Sequence, residues 1–162
     1  MSQRKVDKSE LLAAGALVGV MALLSLWNLG NRFMWIDESI TAVLGRNVLA
    51  FGYPRVFDGL NLVTSTNGND FNQELIFVKD NWVQYYLAAL GLRLFGSHTA
   101  ALRLPFAITG ILAAASFYGL ARRLGRDKKV ALTALALYAL SVPIILYAVS
   151  YTHLTLPTNR EV

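Results

Sequence analysis

The sequence predicts an all-α membrane protein, and three observations carry that reading. First, 55% of the 162 residues are hydrophobic and only 15% are charged, where a soluble domain has about a quarter charged. Second, the charges are segregated and leave long uncharged runs. Third, the basic residues collect at the ends of those runs, where they act as topology signals. The net charge is +5 and the pI about 9.7. Nucleic-acid binding would need a basic stripe on a soluble fold, so that partner class is set aside. With no cysteine in the chain, disulfides, Cys-based zinc sites and thiol nucleophiles are excluded.

Residues 1–10 form a basic N-terminus, with Arg4, Lys5 and Lys8. The first span covers 11–30, reading LLAAGALVGVMALLSLWNLG without a charge. A signal peptide is the competing reading, but its apolar core is only about 7–15 residues long. About 20 residues cross a bilayer as a helix, and this run has that length. The second span covers 104–121 and the third 130–149, the latter with Pro143 inside it. Membrane helices tolerate proline where neighbours satisfy the freed carbonyl. Between these spans, residues 122–129 hold five basic residues: Arg122, Arg123, Arg126, Lys128 and Lys129. Both basic segments then fall on the cytoplasmic side by the positive-inside rule, and residues 31–103 face outward.

That outer loop is too long for a simple connector. Ile40, Val43, Leu44, Val48 and Phe51 recur at helical spacing, with Asp37 or Ser39 as a cap and Gly52 and Pro54 as a stop. A second helix, capped by Asp80, presents Trp82, Val83, Tyr86, Leu87, Leu90 and Leu94 as one apolar face and stops at Gly96. Both helices are expected at the membrane interface. Between them, the polar stretch 61–73 with its Asn-Gly turn signal reads as a flexible surface loop. No phosphate loop, metal-spaced histidine cluster or Ser-His-Asp arrangement is legible, and His98 stands alone.

Asp37 and Glu38 are the residues that invite chemistry. Capping accounts for them on the residues alone: acids are favourable at a helix start. Neighbouring helix positions point in different directions, so the pair is not one acid/base dyad. Two neighbouring acids are also too few to hold a divalent metal without donor phosphates and water.

The stretch WIDESITAVLGRNVLAFGYPRVFDG resembles the first outer loop of the glycosyltransferase 39 group, which uses polyprenyl-phosphate sugars and includes the protein O-mannosyltransferases. VKDNWVQYYLAALGLRLFG, followed by AALRLPFAITGILAAASFYGLARRLG, is similar to the same family: a basic residue, aromatic and apolar residues, a Phe-Gly pair, then Arg-Leu-Pro opening a span. The resemblance implies the N-terminal helices of a GT-C-type membrane glycosyltransferase with two interfacial helices in its first outer loop. It places the catalytic carboxylate on Asp37, with Glu38 beside it, and donor-phosphate binding on Lys79 and Arg103. On residue type alone, Lys79 is equally an interfacial lysine, and Arg103 a snorkelling anchor. Val78 stands where the aminoarabinose transferases tend to carry glutamate, which leaves the acceptor open.

The implied partners are a polyprenyl-phosphate-linked sugar donor, the lipid bilayer and a protein, lipid or glycan acceptor, with no nucleic acid. No cofactor is assigned, and a divalent metal stays open. The implied location is a bacterial inner membrane, multi-pass, with the N-terminus cytoplasmic. Residues 150–162, SYTHLTLPTNREV, show no helical or strand period. They resemble a translated sequencing adapter and are expected not to be native, which would make the chain an N-terminal fragment, inactive by itself. The alternative is a small non-enzymatic three-span membrane subunit or scaffold, in which Asp37 and Glu38 are caps only.

Overall fold

A computed structural model describes residues 7–27, 29–64, 69–125 and 127–149. The expected tail from about residue 150 lies outside the described residues, as do Asn67 and Gly68 of the turn signal. The order is α1 (Lys8–Leu26), α2 (Ile36–Phe51), α3 (Val83–Phe95), α4 (Thr99–Gly125), α5 (Lys128–Ala139) and α6 (Val142–Val149). The described residues contain no strand, only three isolated antiparallel bridges. The all-α expectation holds.

By contacts the chain divides into two units. The first contains α1 and residues 103–149. Asp7 caps α1, accepting from the Ser9 amide. Two helices are long and apolar enough to cross a membrane, Lys8–Leu26 and Thr99–Leu124, each with only 22% of its most apolar window buried. A helix in a soluble core would hide that face. Here Leu12, Leu23, Leu112 and Leu120 are all exposed, which suits lipid. α1 has 19 residues and spans about 28 Å, close to the ~30 Å thickness of a hydrocarbon core. Ala14, Met21, Ala114, Leu135 and Ala139 form the unit's buried core, and Phe117 stacks on Tyr138 with ring centroids 5.0 Å apart.

α4 starts at Thr99, upstream of the expected start at 104. His98 Nδ1 accepts the Ala101 amide at 3.1 Å and so serves the first turn. Pro105 falls inside α4, near its start. The segment expected as a third span is divided into α5 and α6 at Leu140 and Ser141. Pro143 has no N–H to give the Ala139 carbonyl, and its ring crowds that carbonyl. The chain breaks there and restarts with Pro143 in the first turn of α6, where proline is tolerated.

The second unit holds residues 33–102 and is built on α2 against α3. Leu44, Val48, Val56, Phe77, Tyr85 and Ala89 make its core. Of the face expected of it, α2 buries Leu44 and Val48, half-buries Ile40 and Val43 and leaves Phe51 exposed; it ends at Gly52, whose φ of 85° is left-handed, a conformation open to glycine. Its cap position is Trp35 rather than Asp37 or Ser39. α3 leaves the apolar face expected at the membrane interface largely exposed. Its buried face is Gln84, Tyr85, Ala88, Ala89 and Gly91, while Val83, Tyr86, Leu90 and Leu94 are exposed. The reason is close approach: a Cβ on Gly45 of α2 would sit 2.7 Å from the Ala88 Cβ, so only small residues fit between the helices.

The segment read as a flexible loop is tied down where it is described. Arg55 bridges to Ile76, Phe57 to Leu62 and Phe71 to Phe77. Asp70 is buried, and Trp82 Nε1 donates to the Phe77 carbonyl at 2.9 Å. Asn47 Nδ2 donates to the Arg55 carbonyl at 2.6 Å, fastening this segment to α2.

Candidate functional site

Asp37 and Glu38 occupy the first turn of α2, Ile36–Phe51, the next helix after the first apolar helix, which ends at Leu26. A helix start favours negative charge through its unpaired amides and dipole. The two carboxylates nevertheless have different environments. Glu38 is 2% exposed, and its Oε2 accepts the Trp35 amide at 3.2 Å. Asp37 is exposed, and no hydrogen bond from a described residue reaches its side chain. One acid therefore helps build the helix start and the other faces solvent, as adjacent helix positions require.

Lys79 lies in the segment before α3. Its Nζ is 3.8 Å from Asp70 Oδ1, with the lysine side chain about half exposed at 48% and the aspartate side chain at 4%. Thr64 Oγ1 also donates to Asp70, at 3.5 Å. Sequence reasoning missed Asp70 because it sits in a polar stretch without periodicity. Only the neighbouring Phe71 hinted that this stretch has an inner side.

Arg103 is buried in the second turn of α4, in the other unit. Its Nη1 donates to the Leu29 carbonyl at 2.8 Å, just after α1. The structure thus brings Asp37, Glu38 and Lys79 into one unit and leaves Arg103 in the other. A cavity of about 230 Å³ in the second unit is lined by Arg46, His98, Met34 and Leu92 among others, and by none of the four expected site residues.

Among the described residues no three His, Asp or Glu side chains gather as a metal site would need.

Two apolar helices with outward-facing leucines, and an exposed carboxylate at the helix start that follows the first of them, are consistent with an all-α membrane protein. Residues 81–157, just under half of the chain, match the family model described as dolichyl-phosphate-mannose-protein mannosyltransferase. The resemblance read from the sequence is borne out over that segment, and it supports a membrane glycosyltransferase of mannosyltransferase-like type in general. No curated protein and no solved structure matches the chain.

Proposed function

We propose that this chain carries the catalytic base of a membrane glycosyltransferase that moves a sugar from a polyprenyl-phosphate donor to a protein, lipid or glycan hydroxyl. The observation that carries the proposal is the exposed carboxylate of Asp37 at the start of α2, to which no described residue donates a hydrogen bond. A hydroxyl is a weak nucleophile until a base takes its proton. Asp37 takes that proton while the acceptor oxygen attacks the anomeric carbon. The bond from that carbon to the phosphate oxygen breaks, and its electron pair leaves on the polyprenyl phosphate. A single direct displacement inverts the anomeric centre. Glu38 holds the Trp35 amide and thereby positions the turn that presents Asp37. Lys79 and Arg103 are the cations we assign to the donor phosphate, as point charge and as fork respectively. The reaction face is extracytoplasmic, with the N-terminus cytoplasmic in a bacterial inner membrane.

We hold the 162 residues inactive by themselves. The assay therefore uses membranes carrying the whole product of the gene, with polyprenyl-phosphate-mannose as the probe. Asp37→Asn keeps shape and removes the base. Transfer should fall by about two orders of magnitude or more, with unchanged membrane insertion. Wild-type turnover in that variant would remove Asp37 from the role.

A second reading rests on Glu38. Its bond to Trp35 is what a capping residue makes, and in a non-enzymatic membrane subunit both acids would be helix-start residues only. In that case Glu38→Gln would lower stability, and no mannose transfer would be found with the wild type.

A further inference from the structure

Charge is distributed unevenly over this molecule. Eight of the fifteen basic residues and three of the ten acidic residues lie in 1–10 and 122–129. The excess there is five, which is the whole formal net charge of the chain; everything else cancels. The structure joins the described parts of these two segments at one end of the first unit. Lys128 Nζ lies 3.8 Å from Asp7 Oδ2. Arg122 Nε donates to Glu10 Oε1, which also accepts from the Tyr118 hydroxyl at 2.8 Å.

The three acids are all committed within the protein. Glu10 is 3% exposed and holds Arg122 and Tyr118. Asp7 holds Lys128 and the Ser9 hydroxyl. Asp127 accepts the Lys129 amide at 2.9 Å. Lys8, Arg123 and Lys129 are exposed, and no described acid pairs with them. Cations crowded at the ends of apolar helices, with their local acids already engaged, form an electrostatic surface that neither the helix caps nor the ion pairs consume. Marking sidedness would need only the presence of these charges, not the engagement of every acid.

We propose that this end of the first unit binds the phosphate headgroups of anionic phospholipids, with Arg123 and Lys129 as principal contacts and Lys8 beside them. A bilayer surface is the occupant that fits. The cations border apolar helices, so a lipid meets charge at its head and Leu12 and Leu120, both exposed, along its chains. Each lysine or arginine near an anionic leaflet strengthens such attraction by a modest, roughly additive amount, and added salt weakens it. This inference does not depend on the glycosyltransferase reading.

The test uses the full 162-residue chain in detergent, titrated with phosphatidylglycerol or phosphatidylcholine of equal chain length and read by native mass spectrometry. Wild type should retain phosphatidylglycerol at least about fivefold better at low salt, and the preference should shrink on adding salt. Arg123→Gln with Lys129→Gln should cut phosphatidylglycerol retention on the order of tenfold. Arg46→Gln with Arg93→Gln removes equal charge elsewhere and should leave retention unchanged. Equal retention of both lipids by wild type overturns the proposal, and so does an equal loss in the control variant. Displacement of phosphatidylglycerol by inorganic phosphate at matched ionic strength would also overturn it, in favour of a soluble-anion site. If the Arg123 and Lys129 variant fails to fold, the wild-type lipid preference and its salt dependence still decide.

Discussion

At the scale of single residues, the clearest constraint is at Gly45. A Cβ there would meet the Ala88 Cβ at 2.7 Å and backbone atoms of Tyr85 and Ala89 at 3.3 Å. Gly45→Ala gains helix propensity, about 1 kcal/mol, but must push α2 and α3 apart, and overpacking of this kind costs about 1–3 kcal/mol. Thermal unfolding followed by circular dichroism should show net destabilisation. Adding Ala88→Gly should recover part of it, because the closest contact disappears. Asp58 gives a pH prediction. The amides of Asn61 and Leu60 donate to its Oδ1 at 2.7 and 2.9 Å, and the Asn61 side chain donates to Oδ2. These bonds hold its pKa down at about 2, below an ordinary aspartate value of about 3.9. A depressed folded-state pKa means stabilisation fully present above the unfolded value and lost as pH falls through the folded one. Unfolding measured from pH 5 to pH 2 should therefore steepen in wild type and flatten in Asp58→Asn.

At the scale of elements, some features could be read from the sequence and others could not, for physical reasons. The first apolar helix, the register of α2 and its stop at Gly52 follow from local signals: length, period and a residue that accepts positive φ. The orientation of α3 does not. Its sequence carries two stripes, one of large apolar residues and one of Tyr85, Ala88, Ala89 and Gly91, and hydrophobicity alone favours the larger. The deciding fact is Gly45 on a different helix, which rewards small partners. Asp70 was equally hidden, because its burial depends on Lys79 and on chain that returns after the loop. The break between α5 and α6 was signalled by Pro143 but read as tolerable within one span. Pro143→Ala restores an N–H for the Ala139 carbonyl. It should join the two into one helix from Lys128 to Val149, visible as increased ellipticity at 222 nm. Unchanged ellipticity would mean that Leu140 and Ser141 hold the break without proline.

At the scale of the whole molecule, the ends of the chain's apolar helices are organised by a buried charge pair that sequence reasoning could not supply. Glu10 and Arg122 are separated by 112 positions, and nothing local to either names the other. Their meeting is nonetheless what brings the described parts of the two basic segments to one end of the first unit. A buried pair is costly to assemble, and its net worth against an apolar replacement is small or negative. Removing one partner is different, because the other charge is then left without compensation. Glu10→Ala should therefore destabilise the first unit more than Glu10→Leu combined with Arg122→Leu, in which no charge is stranded. Thermal melts in detergent, compared with a Glu10→Gln variant that keeps a hydrogen-bond acceptor for Tyr118, separate the contributions. If stranded charge dominates, the order of stability is wild type near the double variant, then Glu10→Gln, then Glu10→Ala. If the double variant is the least stable, the pair is held by its hydrogen bonds rather than by the penalty for separating it, and the meeting of the two helix ends in the first unit then depends on those bonds.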